Sequence, residues 1–228
     1  MPIERRTKRT ETTKGTQRTQ GGSHPLKSFK SSSSFESPPQ PTHSFIPPHG
    51  GYQKLLSYLK AEIVYDATVH FCDRYFSKRN RTHDQMVQAA RSGKQNIVEG
   101  SQASGTSKET ELKLTNVARA SLEELLADYR DFLRPRRLAE WTPDHPYTRR
   151  LRDLNRQPGA NYETFRKGIE HPDPAICANV IIGLIKVTCY LLDRQIKRLE
   201  QDFLKEGGLR ERMTRARLAF RLRQTPPN

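Results

Sequence analysis

The sequence has few of the residues that build metal, redox or membrane sites. Its 228 residues include three cysteines and one tryptophan, and hydrophobic residues make up only 33%. No CxxC pair or Cys/His cluster with metal-ligand spacing occurs, and the cysteines lie in apolar helical patterns, which predicts reduced, buried thiols. No apolar run reaches the ~18–20 residues that span a bilayer. These absences predict a cytoplasmic protein without a metal, a cofactor or a membrane segment.

Catalytic motifs are also missing, since the sequence contains no phosphate-binding loop and no nucleophile elbow. One predicted helix does carry four clustered carboxylates, Glu123, Glu124, Asp128 and Asp131. Di-metal helical bundles, however, use inward Glu-x-x-His motifs, and no Glu-x-x-His occurs in this chain. We therefore expect no catalytic residue, and we interpret the carboxylates as a solvated face or as a surface for a basic partner.

Positive charge is in excess and is concentrated at the two ends of the chain. The formal net charge is +15, of which residues 1–48, 49–207 and 208–228 each carry +5. Dense positive charge attracts nucleic acids because each neutralised phosphate releases counterions. The alternative is that the charge only keeps the protein soluble.

Residues 1–48 are rich in Ser, Thr, Pro and basic residues. They contain too few apolar residues to offset the entropy cost of ordering, which predicts a disordered tail. This tail is either an electrostatic arm or a solvated segment without a role. The C-terminal suffix, 208–228, interleaves arginines with apolar residues, and as a helix it would place four of them on one stripe: Leu209, Met213, Ala216 and Phe220.

Between these ends, apolar residues recur with helical spacing in four segments, at about 52–77, 82–100, 107–133 and 174–206. Connections such as 78–81 are short, so consecutive helices are expected to be antiparallel neighbours. The predicted fold is therefore all-α. It is an antiparallel up-down four-helix bundle over residues 49–207, with the disordered basic tail before it and the basic suffix after it.

The second predicted helix carries a stripe of mostly small residues: Met86, Ala89, Ala90, Gly93, Ile97 and Gly100. Glycine inside a helix costs roughly 1 kcal/mol relative to alanine, so we expect Gly93 to be required by the close approach of another helix. Thr82 with Gln85 and Thr106 with Glu109 match capping boxes at helix starts.

Asn96, Glu99 and Gly100 lie at the predicted end of this second helix. The Asn96 and Glu99 side chains are placed to hydrogen-bond the backbone of the following loop. We therefore interpret the three residues as a structural motif that closes the helix.

The last predicted helix is apolar on nearly every side, and a helix of that kind is buried all round. In one four-helix bundle each helix buries a single face, so the surplus apolar surface predicts a subunit interface. Before this helix comes an insert, 138–172, with two candidate short helices and aromatic residues among its arginines. Aromatic residues interleaved with arginines also suit single-stranded nucleic acid.

The run AARSGKQNIVEG, the Gly/Ser loop after it, and the segments SKE and ARASLEEL resemble the four-helix-bundle family of the 23S rRNA intervening-sequence protein. The resemblance covers residues 50–206, and GGLRERMTRARL is similar to the C-terminal suffix of one subgroup of that family. This chain departs from the family pattern at Gly93, at Val98 and in the insert of about 35 residues. The same fold is used by the accessory protein of diversity-generating retroelements, so the resemblance implies a homo-oligomer, and specifically a pentamer.

Together these features predict a non-enzymatic, homo-oligomeric scaffold that binds RNA or DNA through basic surfaces. Contacts with phosphates are expected to be largely independent of sequence and sensitive to salt. The alternative is an adaptor for another protein, such as a reverse transcriptase, with nucleic-acid binding incidental. The candidate phosphate contacts are Arg79, Arg81, Arg91, Lys94, Arg119, Arg210, Arg212, Arg215 and Arg217.

Overall fold

The computed structural model describes residues 46 and 48–224, all of which belong to one compact unit, 42–228. The predicted disordered tail, 1–48, lies outside the described residues apart from Ile46 and Pro48. All regular secondary structure in the described part is helical, which confirms the all-α prediction. The α-helices are α1 (Leu56–Tyr75), α2 (Arg81–Ala103), α3 (Lys108–Leu133), α4 (Pro146–Arg156), α5 (Tyr162–Ile169), α6 (Pro174–Glu206) and α7 (Leu209–Gln224).

Four long helices, α1, α2, α3 and α6, pack so that each has two of the others as close neighbours. The short connections 76–80 and 104–107 make α1, α2 and α3 successively antiparallel. α6 runs opposite to α1, because Ser57 Oγ near the start of α1 donates to Gln195 Oε1 at 2.7 Å, whereas Tyr75 OH at its end donates to the Pro172 carbonyl at 3.3 Å.

The helices begin where polar side chains accept hydrogen bonds from the first free backbone N–H groups. Asn80 Oδ1 accepts from the Thr82 N–H at 2.9 Å, and Ser107 Oγ accepts from the Thr110 N–H at 3.1 Å. The predicted capping boxes at Thr82 and Thr106 were therefore wrong by one or two residues. In the first predicted helix, 52–77, a 3₁₀ turn at Tyr52–Lys54 precedes α1 because Leu55 is extended.

An aromatic cluster fills the core where α1 meets α3. The Phe71 ring centroid lies 4.9 Å from that of Tyr129 and 4.8 Å from that of Phe132. Tyr129 is fully buried, and its hydroxyl lies 3.1 Å from Thr68 Oγ1, so the polar atom is satisfied inside the core. The three cysteines are buried and free, as predicted, and burial raises the pKa of each thiol to about 12.

The small-residue stripe of α2 packs against α3. A β-carbon at Gly93 would lie 2.7 Å from Leu122 Cδ2, which is closer than real β-carbons approach other atoms. At Gly100 a β-carbon would lie 3.4 Å from the Glu111 carbonyl oxygen, an ordinary contact. The predicted reason for Gly93, the close approach of a second helix, is thereby confirmed.

The insert folds back onto α6. α4 and α5 both contact α6, and Gly183 of α6 leaves the space that the Leu151 side chain of α4 occupies. Val180 is only 7% exposed and touches the other short helix at Gly168. The chain's own insert therefore covers the apolar surface of α6 around Val180 and Gly183, so the all-round apolar pattern of this helix no longer requires a subunit interface.

The suffix forms α7, which stays largely exposed. Leu218, Phe220 and Leu222 are 54%, 59% and 76% exposed. The helix is attached at its start, where Glu211 Oε2 accepts from the Gly208 N–H at 2.9 Å and Arg212 donates to the Gly105 carbonyl at 3.4 Å.

The helical stretch 174–223 contains a window long and apolar enough to cross a membrane by length and composition. Within the protein, 61% of that window is buried. Core helices of soluble proteins meet the same criterion, so the finding is weak support for a membrane segment.

Candidate nucleic-acid interface

Two basic segments that are distant in sequence meet at one end of the helices. α2 and α3 are level at Ser92 and Ser121, whose hydroxyl oxygens lie 3.0 Å apart. Arg81 lies 11 residues before Ser92, and Leu133 lies 12 residues after Ser121, so the start of α2 and the end of α3 reach the same level. This brings together six cations, here called the basic end: Lys78, Arg79, Arg81, Arg134, Arg136 and Arg137.

The α3 half of the basic end is built on a 3₁₀ turn, Arg134–Arg136, that closes the helix. Arg137 follows with a φ of +54°, the left-handed conformation that stops a helix. The Arg136 guanidinium lies 3.8 Å from the Phe132 ring centroid and donates to the Phe132 carbonyl at 2.9 Å, which fixes its position. Arg134 pairs with Asp131.

Sequence reasoning missed these three arginines as site residues and treated them only as the end of a helix. The signal was available in the run RPRR at the end of α3. Because α3 is antiparallel to α2, the end of α3 lies beside the turn that precedes α2. Arg79 and Arg81 had been predicted as phosphate contacts, and the fold adds Arg134, Arg136 and Arg137 to them.

All six side chains are exposed, and five of them have no ion pair among the described residues: Lys78, Arg79, Arg81, Arg136 and Arg137. Unpaired, exposed cations keep their full charge for an external anion, whereas paired ones have part of it cancelled. The basic end therefore presents a group of cations available to phosphates.

His83 adds a titratable group beside this end. Its Nε2 lies 3.1 Å from Asp73 Oδ1 and its Nδ1 lies 3.2 Å from Asp84 Oδ1. The hydrogen bond to Asp73 is the largest cause of a pKa raised above the ordinary 6.5, and the Asp84 bond acts in the same direction. The imidazole ring therefore links α1 to α2 most strongly when it is protonated.

The remaining candidates on the helices are not at this end. Arg91 is exposed in the middle of α2, and the Lys94 ammonium lies 4.2 Å from the Tyr65 ring centroid. Arg119 on α3 makes an ion pair with Asp193 of α6 at 2.6 Å. Lys94 and Arg119 thus have partners inside the protein, which leaves Arg91 as the exposed cation of these three.

The suffix arginines lie at the opposite end. α7 starts beside the α2–α3 loop, and α2 is 23 residues long, which separates the two ends by roughly 35 Å. Arg212 and Arg215 donate to the carbonyls of Gly105 and Glu206, while Arg210 and Arg217 are exposed. The predicted phosphate contacts therefore form two terminal groups and a few separate positions, not one patch.

The predicted motif at Asn96, Glu99 and Gly100 does not close α2, because the helix continues to Ala103. Asn96 donates to the Ser92 carbonyl at 2.9 Å within its own helix, and Glu99 is exposed. The predicted hydrogen bonds of this motif to the backbone of the following loop were therefore wrong. Gly100 packs against α3 instead.

Three of the six Lys and Arg side chains in the insert have carboxylate partners. Arg149 pairs with Asp144 at 3.4 Å, Arg156 with Asp153 at 3.2 Å, and Arg166 with Glu163 and Glu170 at 3.1 Å each. The insert is therefore less available to phosphates than its arginine count indicates.

Within the described residues, no group of three or more His, Cys, Asp or Glu side chains is placed to hold a metal ion. No family model, curated protein or solved structure matches the chain.

Proposed function

We propose that this protein is a non-enzymatic, homo-oligomeric scaffold of the 23S rRNA intervening-sequence type that binds RNA or DNA through basic surfaces. In this proposal α1, α2, α3 and α6 form its antiparallel four-helix bundle, the insert and suffix are additions to it, and the protein is cytoplasmic. The basic end is the principal nucleic-acid contact, and the suffix arginines provide a second.

The observation that carries the proposal is the convergence of the α1–α2 turn and the end of α3. Six cations from segments more than 50 residues apart lie at one end, and all but Arg134 have no ion pair among the described residues. Gathering like charges is electrostatically unfavourable unless a polyanion neutralises them, so such an arrangement is typical of a phosphate-binding surface.

The oligomeric part of the proposal is supported by the family resemblance, since the insert covers the apolar face of α6. The exposed apolar residues of α7 supply a different surface through which copies can associate. Sedimentation equilibrium of the full chain tests this directly. A single monomeric species at micromolar concentration would remove the oligomer from the proposal.

The test of nucleic-acid binding is a titration of the full chain with structured RNA, single-stranded DNA and duplex DNA at several salt concentrations. The triple variant Lys78→Gln, Arg79→Gln, Arg81→Gln removes three unpaired cations from the basic end. We expect weaker binding, and we expect the slope of log affinity against log salt to fall by about 1 for each lost phosphate contact.

The matched control is Arg149→Gln, Arg156→Gln, Arg166→Gln, which removes the same net charge from ion-paired positions in the insert. It should retain most of the affinity. Equal loss in the two variants would show that only net charge matters. Absence of binding in the wild-type chain at physiological salt would favour the adaptor function instead.

A further inference from the structure

A cavity of about 780 Å³ lies between the first half of α1 and the segment that joins α4 to α5. Its volume is within the range of small-molecule sites in proteins. On the α1 side it is lined by Leu56, Leu59, Lys60, Glu62, Ile63 and Asp66. The joining segment and the adjacent ends of α4 and α5, together 155–163, form the opposite wall, which contains Ala160 and Tyr162.

Lys60 is the unusual residue of this cavity. It is only 5% exposed, and its Nζ has no hydrogen-bond partner among the described residues. Its neighbour is an aromatic ring, since the Phe165 centroid lies 5.0 Å from Nζ. A buried ammonium without an acceptor is costly, and the ring's cation–π attraction offsets only part of that cost.

The carboxylates that line the cavity do not supply the missing partner. Glu62 Oε1 accepts from the Tyr58 hydroxyl at 2.9 Å, and Glu163 is paired with Arg166 at 3.1 Å. Asp66 lies six residues further along α1, roughly 9 Å along the helix axis. Burial lowers the pKa of Lys60, and no nearby carboxylate contributes to its pKa shift.

Two apolar side chains that line the cavity beside Lys60 are accessible to solvent. Leu56 is 62% exposed and Leu59 is 38% exposed, although both lie on a core helix. A ligand that covered these side chains and brought one acceptor to Lys60 would remove apolar surface from water and satisfy the buried ammonium.

We propose that this cavity binds a small amphipathic carboxylate, with its carboxylate on Lys60 and its apolar body against Leu56, Leu59 and Ile63. The site is separate from the basic end, and it does not depend on nucleic-acid binding. It is a ligand site between the core helices and the insert.

The test is isothermal titration calorimetry of the full chain with octanoate, beside 1-octanol, a neutral analogue with the same number of carbon atoms. We expect one octanoate per chain and little heat from octanol. Lys60→Met keeps an unbranched side chain, one atom shorter and without the charge, and it should weaken octanoate binding roughly 10- to 100-fold because a charge-assisted hydrogen bond is lost. Lys54→Met, on the exposed turn before α1, is the matched control and should bind like the wild type.

Thermal unfolding identifies a variant that has merely failed to fold. Without ligand, Lys60→Met should melt at or above the wild-type temperature, because replacing a buried, unpaired charge by an apolar isostere is neutral or stabilising. Octanoate should raise the melting temperature of the wild type by more than that of the variant. Equal octanoate affinity in the wild type and a folded Lys60→Met, equal loss in Lys54→Met, or no binding by the wild type would each overturn the proposal.

Discussion

Gly93 of α2 and Leu122 of α3 approach each other so closely that a β-carbon on residue 93 would lie 2.7 Å from Leu122 Cδ2. Leu122 is fully buried, so it has little free space into which it can move. The two helices are consecutive in the chain, and α2 packs against both α1 and α3. The glycine therefore allows the short distance between α2 and α3.

The first prediction concerns this contact. Gly93→Ala should destabilise the protein by roughly 1–3 kcal/mol through overpacking, reduced by up to about 1 kcal/mol because alanine is the better helix former. Urea unfolding followed by circular dichroism measures the difference. Gly100→Ala is the control on the same helix face, because its β-carbon would make only ordinary contacts at 3.4 Å, and it should be neutral or stabilising. If both variants were stabilised alike, the close approach at Gly93 would be refuted.

Helical periodicity was enough to predict where the long helices lie and which faces they bury. Periodicity predicts that the apolar face of a helix is buried, but it does not predict which element covers that face. The all-round apolar pattern of α6 did indicate burial, and the covering element was the insert, whose own pattern is too short and too polar to show where it docks. Likewise, Arg137 was not grouped with Arg81, because their proximity follows only once α2 and α3 are known to pair at Ser92 and Ser121.

The second prediction tests whether the insert shields α6. Leu151→Ser should release α4, because Leu151 is 7% exposed and fills the space above Gly183. The uncovered apolar face of α6 should then bind a hydrophobic dye and promote self-association, as exposed apolar patches do. Dye fluorescence and sedimentation velocity measure these effects. Val117→Ser, at a position on α3 that is 40% exposed, is the control and should leave both unchanged. Unchanged dye binding in Leu151→Ser would mean that α4 does not protect this surface.

The third prediction concerns the basic end as a single surface. Arg137→Gln should lower the salt slope of nucleic-acid binding by about 1, as each of the cations in the α1–α2 turn does. The effect is expected because the fold places the end of α3 beside that turn. Arg134→Gln is the comparison within the same run, and since Arg134 pairs with Asp131 its loss should matter less. A normal salt slope for Arg137→Gln would restrict the surface to the α1–α2 turn.

The fourth prediction is a pH dependence that originates at His83. Its pKa is raised in the folded protein, first by Asp73 and then by Asp84, so the folded state binds the proton more tightly than the unfolded chain. The stabilising contribution is therefore complete below about pH 6.5 and is lost as the pH rises through the raised pKa. In low salt, the urea midpoint of the wild type should fall over this window, and the fall should be smaller in His83→Gln.

An NMR titration of the His83 ring should give a midpoint above 6.5 that moves down more in Asp73→Asn than in Asp84→Asn, because Asp73 is the stronger partner. A midpoint that neither variant changes would show that the carboxylates do not hold the proton, and the link between α1 and α2 would then be independent of pH.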